Sequence, residues 1–183
     1  MHALVLLAVV LVFGVSFVLL GEVIGFGSPW LALLLMFYFL AIARVAEPLF
    51  RLRMPGALRA LRGWEREDDV HRRLGVLGFG RLLRASPLRY LNPAVYLDRA
   101  RGDFLRVRVQ AESSEASHFW AAVLLMPYLV FAGLEGMWSV VAGFALAQLL
   151  VNVYPILHLR HVRGRMDRVL RRRTHTRTQQ GGS

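Results

Sequence analysis

Long apolar runs alternate with arginine-rich stretches along this chain of 183 residues. The apolar runs cover residues 3–20, 29–46, 117–134 and 137–158. A helix that spans a bilayer needs roughly 20 mostly apolar residues, and only a helix satisfies the backbone of such a run in lipid. The pattern therefore predicts an all-α integral membrane protein with four transmembrane helices. We expect the first run to be a retained helix, because no basic residue precedes it as in a cleaved signal peptide.

The central segment, residues 47–116, is too long for a simple loop. Its first part alternates apolar and arginine positions, which is typical of helices that lie in a membrane interface. From Asp103 the pattern again favours a helix that continues into the third span. We therefore predict a single membrane domain, residues 1–173, with amphipathic interfacial helices in the central cytoplasmic segment. Residues 174–183 are polar and are predicted to be a disordered tail.

The charge distribution predicts the orientation in the membrane. The formal net charge is +11, and all 23 basic residues are arginines, none of which lies within residues 1–43 or 109–159. Short cytoplasmic segments carry such positive charge, so we expect a multi-pass protein of the cell membrane with both termini in the cytoplasm. Because the arginines flank the apolar runs, anionic membrane lipids explain the charge better than nucleic acid, which we do not expect as a partner.

Three side chains that can carry chemistry precede the third span, namely Glu112, Glu115 and His118. Spacings of three and six residues place them roughly on one face of a helix. Glu115 could accept the Nδ1–H of His118 and leave Nε2 as a general base. The alternative is a helix that enters the membrane with capping acids and a histidine at the headgroup level. The spacing alone does not decide between the two.

The fourth span contains a second group of polar residues. Asn152 lies deep within the apolar run, one turn after Gln148, and could position a substrate carbonyl or join two helices. Basic side chains follow where the span ends, namely His158, Arg160, His161, Arg163 and Arg165. Such a group could bind phosphate, although a stop signal for membrane insertion would explain the arginines equally well.

Cysteine is absent from the sequence, so thiolate nucleophiles and disulfides are excluded. The histidines and glutamates of the third and fourth spans could ligate zinc or iron, but no closely spaced ligand motif supports such a site. We therefore expect no metal and no cofactor.

Three short motifs resemble the glycosyl-4,4′-diaponeurosporenoate acyltransferase family, small integral-membrane enzymes of carotenoid biosynthesis. The first is Glu115-Ala-Ser-His118 followed by Trp120, and the second runs from Asn152 through Arg160 to Arg165. The third is Leu74-Gly75-Val76 before a basic stretch. The resemblance covers roughly residues 60–170. The sequence departs from the family pattern at Phe119, Leu159, His161 and Val162.

The resemblance implies transfer of an acyl chain from an acyl-CoA-like co-substrate to a hydroxyl of a glycosylated carotenoid or another amphipathic lipid. His118, oriented by Glu115, would be the base, and Asn152 would stabilise the oxyanion or position the thioester. The expected substrate-binding residues are Arg160, Arg163, Arg165, His161, His158, Glu112 and Trp120. The alternative is a non-catalytic membrane subunit, possible as part of an oligomer or a larger complex, that binds lipid or pigment through its many aromatic residues.

Overall fold

The computed structural model describes residues 2–50, 53–87 and 104–180, and within these ranges the chain forms helices and no strand. The all-α prediction is confirmed. The helices are α1 (His2–Ile24), α2 (Pro29–Phe50), α3 (Gly56–Arg59), α4 (Asp68–Arg73), α5 (Val76–Ala85), α6 (Phe104–Leu134), α7 (Trp138–Gln148) and α8 (Tyr154–Gln180). A 3₁₀ turn, Gly63–Arg66, precedes α4, and a π-helical turn, Leu149–Val153, joins α7 to α8.

Four stretches of helix are long and apolar enough to cross a membrane, which confirms the predicted class. They are His2–Ile24, Pro29–Ala46, Phe104–Leu134 and Trp138–Arg171. The last two contain 31 and 34 residues. At about 1.5 Å per residue, helices of this length are longer than the roughly 30 Å of the hydrocarbon core. Both can therefore carry charged turns outside the lipid.

The chain divides into two compact units. The first contains Met1–Met54 and Ala116–Pro155, and the second contains Pro55–Glu115 and Ile156–Ser183. The first unit therefore holds the uncharged parts of the spans, and the second holds most of the arginines.

Helix α1 belongs to the first unit and is apolar on every side. Gly21 is its only buried residue, and large side chains such as Leu4 and Leu11 are exposed. A helix of this kind needs an apolar environment, which a bilayer supplies. Contact with α2 is made in part by Tyr38, whose ring stacks on Phe13 with the centroids 4.2 Å apart. The Tyr38 hydroxyl is also 2.5 Å from the Ser16 hydroxyl.

The core of the first unit lies between α2, α6 and α7. Small residues alternate with large ones there, so that the helices approach closely and still fill the space between them. The buried residues are Ala32, Met36, Leu125, Ala132, Val140, Phe144 and Ala147.

Glycines end α1 and α6 at the two tight hairpins. Gly25 and Gly136 have φ values of 83° and 69°, in the left-handed region that glycine adopts without steric cost. After α6, the Met137 N–H donates to the Ala132 carbonyl and the Gly136 N–H to the Gly133 carbonyl. This pair of bonds is the Schellman arrangement, which satisfies carbonyls at the end of a helix.

Two boundaries bear on the sequence predictions. Helix α6 begins at Phe104 and continues unbroken into the third span, as the pattern after Asp103 indicated. Helix α8 extends to Gln180, so helix covers most of the predicted disordered tail. Extending an existing helix avoids the cost of nucleation. Residues 88–103 of the central segment and residues 181–183 of the tail lie outside the described residues.

Candidate active site

The π-helical turn positions a fully buried amide, that of Asn152, inside the first unit. The Tyr154 N–H donates to the Leu149 carbonyl, five residues earlier, so the turn is one residue wider than in an α-helix. Such single π turns occur frequently at functional sites. Pro155 follows and supplies no N–H to this turn. The backbone of Val151 lies in hydrogen-bonding contact with the imidazole of His118.

A chain of hydrogen bonds through two amides orients His118. The Gln148 Nε2 donates to the Ala122 carbonyl at 3.3 Å, so the Gln148 Oε1 must face the other way. That oxygen accepts a hydrogen bond from the Asn152 Nδ2. The Asn152 Oδ1 is therefore left to face the Nδ1 of His118, 3.3 Å away. Each amide orientation follows from the one before it, starting from a backbone carbonyl that can only accept.

The Asn152 contact favours one tautomer of His118. Because the Asn152 Oδ1 is an acceptor, this contact is made when the Nδ1 of the neutral imidazole carries the hydrogen. An imidazole with a free Nε2 is the form that acts as a general base. The sequence suggested Glu115 as the acceptor of the Nδ1–H bond, whereas in the structure the Nδ1 of His118 faces the Asn152 Oδ1.

Glu115 lies in the second unit, where it is completely buried between two arginines. Its Oε1 accepts a hydrogen bond from the Arg160 Nη1 at 2.6 Å, and its Oε2 accepts one from the Arg163 Nη1. Both carboxylate oxygens are thus engaged by guanidinium groups. A carboxylate held in this way neutralises buried positive charge, and this explains why it does not orient the histidine.

Arg160 makes a hydrogen bond with each of its five N–H groups. Nε and Nη2 form a two-pronged contact with the Glu65 carboxylate at 2.5 and 2.7 Å. Nη1 donates to Glu115 and, at 2.7 Å, to the Leu58 carbonyl, and Nη2 also donates to the Ala60 carbonyl at 2.9 Å. Only 6% of Arg160 is exposed. The predicted binding of substrate phosphate to Arg160 is therefore not supported, because no donor is left for a ligand.

Glu65 completes this buried charge cluster, which we define as Glu65, Glu115, Arg160 and Arg163. Burial acts to raise the pKa of the Glu65 carboxyl, but hydrogen bonds from Arg160 and from the Arg62 N–H, together with their positive charges, hold the pKa below its ordinary value. The two carboxylates balance the two guanidinium groups. Removing one partner of such a buried ion pair strongly destabilises the folded protein.

Three histidines lie together in the second unit. The rings of His71 and His161 have centroids 4.8 Å apart, and the Nδ1 of His161 is 3.6 Å from the Asp68 Oδ1. The Nδ1 of His71 contacts the Glu67 carbonyl at 3.0 Å, while its Nε2 is buried and has no hydrogen-bond partner among the described residues. The buried Nδ1 of His158 likewise has none in the described ranges. The structure thus joins the predicted His158 and His161 to His71.

The imidazole of His158 packs directly on Gly80 of α5. A Cβ atom at Gly80 would lie 2.6 Å from the His158 Cε1 and 2.8 Å from its Nδ1, which is closer than such atoms approach. The glycine is therefore required by the packing of α8 against α5. Gly78, two residues earlier on the same helix, has no described atom within 4 Å of the equivalent position.

The other predicted site residues make separate contacts. Glu112 forms an ion pair with Arg59, and the Trp120 indole N–H donates to the Arg53 carbonyl at 2.9 Å. Arg165 is exposed. Within the ranges that the structure covers, no three histidine or acidic side chains converge to hold a metal ion.

Sequence reasoning did not select Glu65 or His71 as site residues. Glu65 opens a short acidic run, Glu65-Arg-Glu-Asp-Asp69. Nothing in the sequence indicates that Glu65 pairs with Arg160, 95 residues away. His71 stands in a polar helix and has no sequence signal that distinguishes it. The sequence signal that could have identified Glu65 is an acidic residue within an arginine-rich segment.

Comparison with known proteins gives one finding. Residues 56–172 match the family model described as glycosyl-4,4′-diaponeurosporenoate acyltransferase. No curated protein and no solved structure matches the chain.

Replacing Glu65 with Gln should destabilise the protein by about 3–5 kcal/mol, because the buried cluster then holds two guanidinium charges and only one carboxylate. The carboxyl has a folded pKa below the ordinary 4.5, so its contribution is complete above that pH and is lost as the pH falls through the folded value. Thermal unfolding in detergent at several pH values measures both effects. Glu67→Gln, at an exposed neighbour, is the control. Equal unfolding temperatures for the two variants would contradict the proposed pairing.

Replacing Gly80 with Ala should make the protein about 1–3 kcal/mol less stable than replacing Gly78 with Ala, because only the first change forces the His158 ring to move. Both changes gain the same helix propensity, of about 1 kcal/mol, which cancels in the comparison. Chemical or thermal unfolding of the two purified variants gives the difference. The packing is disproved if Gly80→Ala is as stable as Gly78→Ala.

Proposed function

Because the chain belongs to the glycosyl-4,4′-diaponeurosporenoate acyltransferase family, we propose that it transfers an acyl chain to a hydroxyl of a glycosylated carotenoid or another amphipathic lipid. The donor is an acyl-CoA-like thioester. The observation that carries the proposal is the hydrogen-bond chain that presents His118 as a neutral base.

The reaction needs one base and no covalent enzyme intermediate. The Nε2 of His118 takes the proton of the acceptor hydroxyl while the oxygen attacks the carbonyl carbon of the thioester. The carbon–sulfur bond then breaks, and the imidazolium returns the proton to the leaving thiolate. The products are an ester and a free thiol, and the histidine is restored. General bases of this kind contribute about 10²–10⁴-fold to a rate.

Asn152 acts in this proposal as a positioning residue. Its Oδ1 holds the Nδ1–H of His118, and its own orientation is held by Gln148. These amides are neutral, so they fix the imidazole without adding a charge to an apolar unit. A carboxylate in the same place would add a buried negative charge, which is costly in apolar surroundings.

The membrane provides the path for both apolar substrates. The first unit exposes large apolar side chains along α1, α2 and α6, which suits contact with lipid, acyl chains or a carotenoid. We place the chemistry and both termini on the cytoplasmic side, because the arginines lie in the central segment and after the fourth span. A cytoplasmic thioester would reach that side directly.

Replacing His118 with Ala should lower kcat by at least about 10²-fold, since the general base is lost. The measurement is turnover of the purified protein in detergent, with an acyl-CoA donor and a glycosylated carotenoid acceptor. His2→Ala, which removes an exposed histidine at the start of α1, is the matched control and should retain normal turnover. Near-normal turnover of the His118 variant would contradict the assignment of His118 as the base and favour a non-catalytic subunit.

Replacing Asn152 with Leu should lower kcat roughly tenfold, because one hydrogen bond to the base, worth about 1–2 kcal/mol, is lost. The KM for the donor should stay unchanged, since Asn152 acts through His118. Steady-state kinetics at varied donor concentration separate the two parameters. A change confined to KM would show that Asn152 contacts the substrate and does not position the base.

A further inference from the structure

A cavity of about 470 Å³ opens in the second unit between α3, α6 and α8. Its volume falls within the roughly 300–1,000 Å³ of pockets that bind small molecules. Charged side chains dominate its lining, namely Arg59, Arg108, Glu112, Arg163, Asp167 and Arg171. The cavity is thus large enough for a ligand and is lined by groups that recognise charge.

Positive charge exceeds negative charge around this cavity. Four guanidinium groups face two carboxylates, of which Glu112 pairs with Arg59, and the Asp167 Oδ1 lies 2.9 Å from the Arg108 Nε. Arg163 has its own partner in Glu115. With Glu115 counted, four guanidinium groups still exceed three carboxylates, so the lining favours an anion over a cationic ligand.

Two of these arginines have a buried N–H group that makes no hydrogen bond with the described residues. They are the Nε of Arg163, whose side chain is 5% exposed, and the Nε of Arg108, which lies near Asp167 without the geometry of a hydrogen bond. The two guanidinium groups therefore keep donor capacity that the described part of the chain does not use.

We propose that this cavity binds a phosphate group. Arginine matches the geometry of phosphate oxygens and remains charged, and several arginines converge here around one space. The phosphate can belong to the coenzyme A part of the donor or to the headgroup of an anionic lipid. The first source rests on the proposed function, whereas the second does not. In either case the cavity arginines take the role that the sequence assigned to Arg160, Arg163 and Arg165, and of these three Arg163 lines the cavity.

The test is equilibrium binding of radiolabelled coenzyme A to the full chain purified in detergent. Arg59→Gln and Arg108→Gln each remove one charged contact at a half-exposed position, so the fold should be retained. Each should weaken binding by about tenfold or more. Arg72→Gln is the matched control, because Arg72 forms an exposed ion pair with Asp69 and does not line the cavity. Unfolding temperatures verify that all three variants are folded.

A second set of measurements identifies the source of the phosphate. Inorganic phosphate should compete with coenzyme A in detergent if the cavity recognises the phosphate itself. In parallel, binding of the same variants to vesicles of phosphatidylglycerol is compared with binding to vesicles of phosphatidylcholine. Loss of coenzyme A binding in the cavity variants assigns the site to the donor. Loss of preference for phosphatidylglycerol alone assigns it to a lipid headgroup. Variants that match Arg72→Gln in every measurement overturn the inference.

The failure of this inference can be distinguished from failure of the proposed function. His118→Ala should bind coenzyme A like the unmodified chain, since His118 does not line the cavity. Arg108→Gln should raise the donor KM and leave kcat unchanged at saturating donor. If Arg108→Gln has normal donor kinetics while His118→Ala loses turnover, the assignment of His118 as the base stands. The assignment of the donor phosphate to the cavity is then wrong.

Discussion

The second unit depends on the burial of one guanidinium group. Taking the Arg160 charge out of water costs several kcal/mol unless each N–H finds an acceptor and the charge finds a counter-charge. Glu65 and Glu115 supply the charge, and the Leu58 and Ala60 carbonyls supply the remaining acceptors. This requirement binds the segment around the 3₁₀ turn to α6 and α8. It explains why an arginine at the exit of a span serves the fold and not a ligand.

In the first unit, buried polar groups are also paired, but these groups are neutral amides. Asn152 is fully buried and Gln148 nearly so, and neither has water to satisfy its amide. Each amide therefore pairs with the next, from the Ala122 carbonyl to the His118 ring. The need to pair buried amides thus fixes the Asn152 side chain against the His118 ring, the group that we propose as the base.

Arginine has three distinct roles in this chain. Arg160 is buried and fully bonded, Arg59 and Arg108 are half-exposed beside the cavity, and Arg72 lies at the surface. Burial and available donors separate these roles, because a guanidinium group with every N–H engaged cannot bind phosphate. The proposed acyl transfer is consistent with this division, since it uses one base and a charged donor.

The sequence by itself determined the four spans, because length and apolarity are local properties that lipid converts directly into helices. It also determined that His118 and Asn152 are polar groups in apolar surroundings, and therefore candidates for function. Helical spacing placed Glu115 beside His118, but spacing shows only which residues share a face. The tertiary structure paired Glu115 with arginines 45 and 48 residues away, and His118 with Asn152, 34 residues away. Those choices depend on which buried charges and amides must be satisfied together, and this becomes defined only when the helices pack.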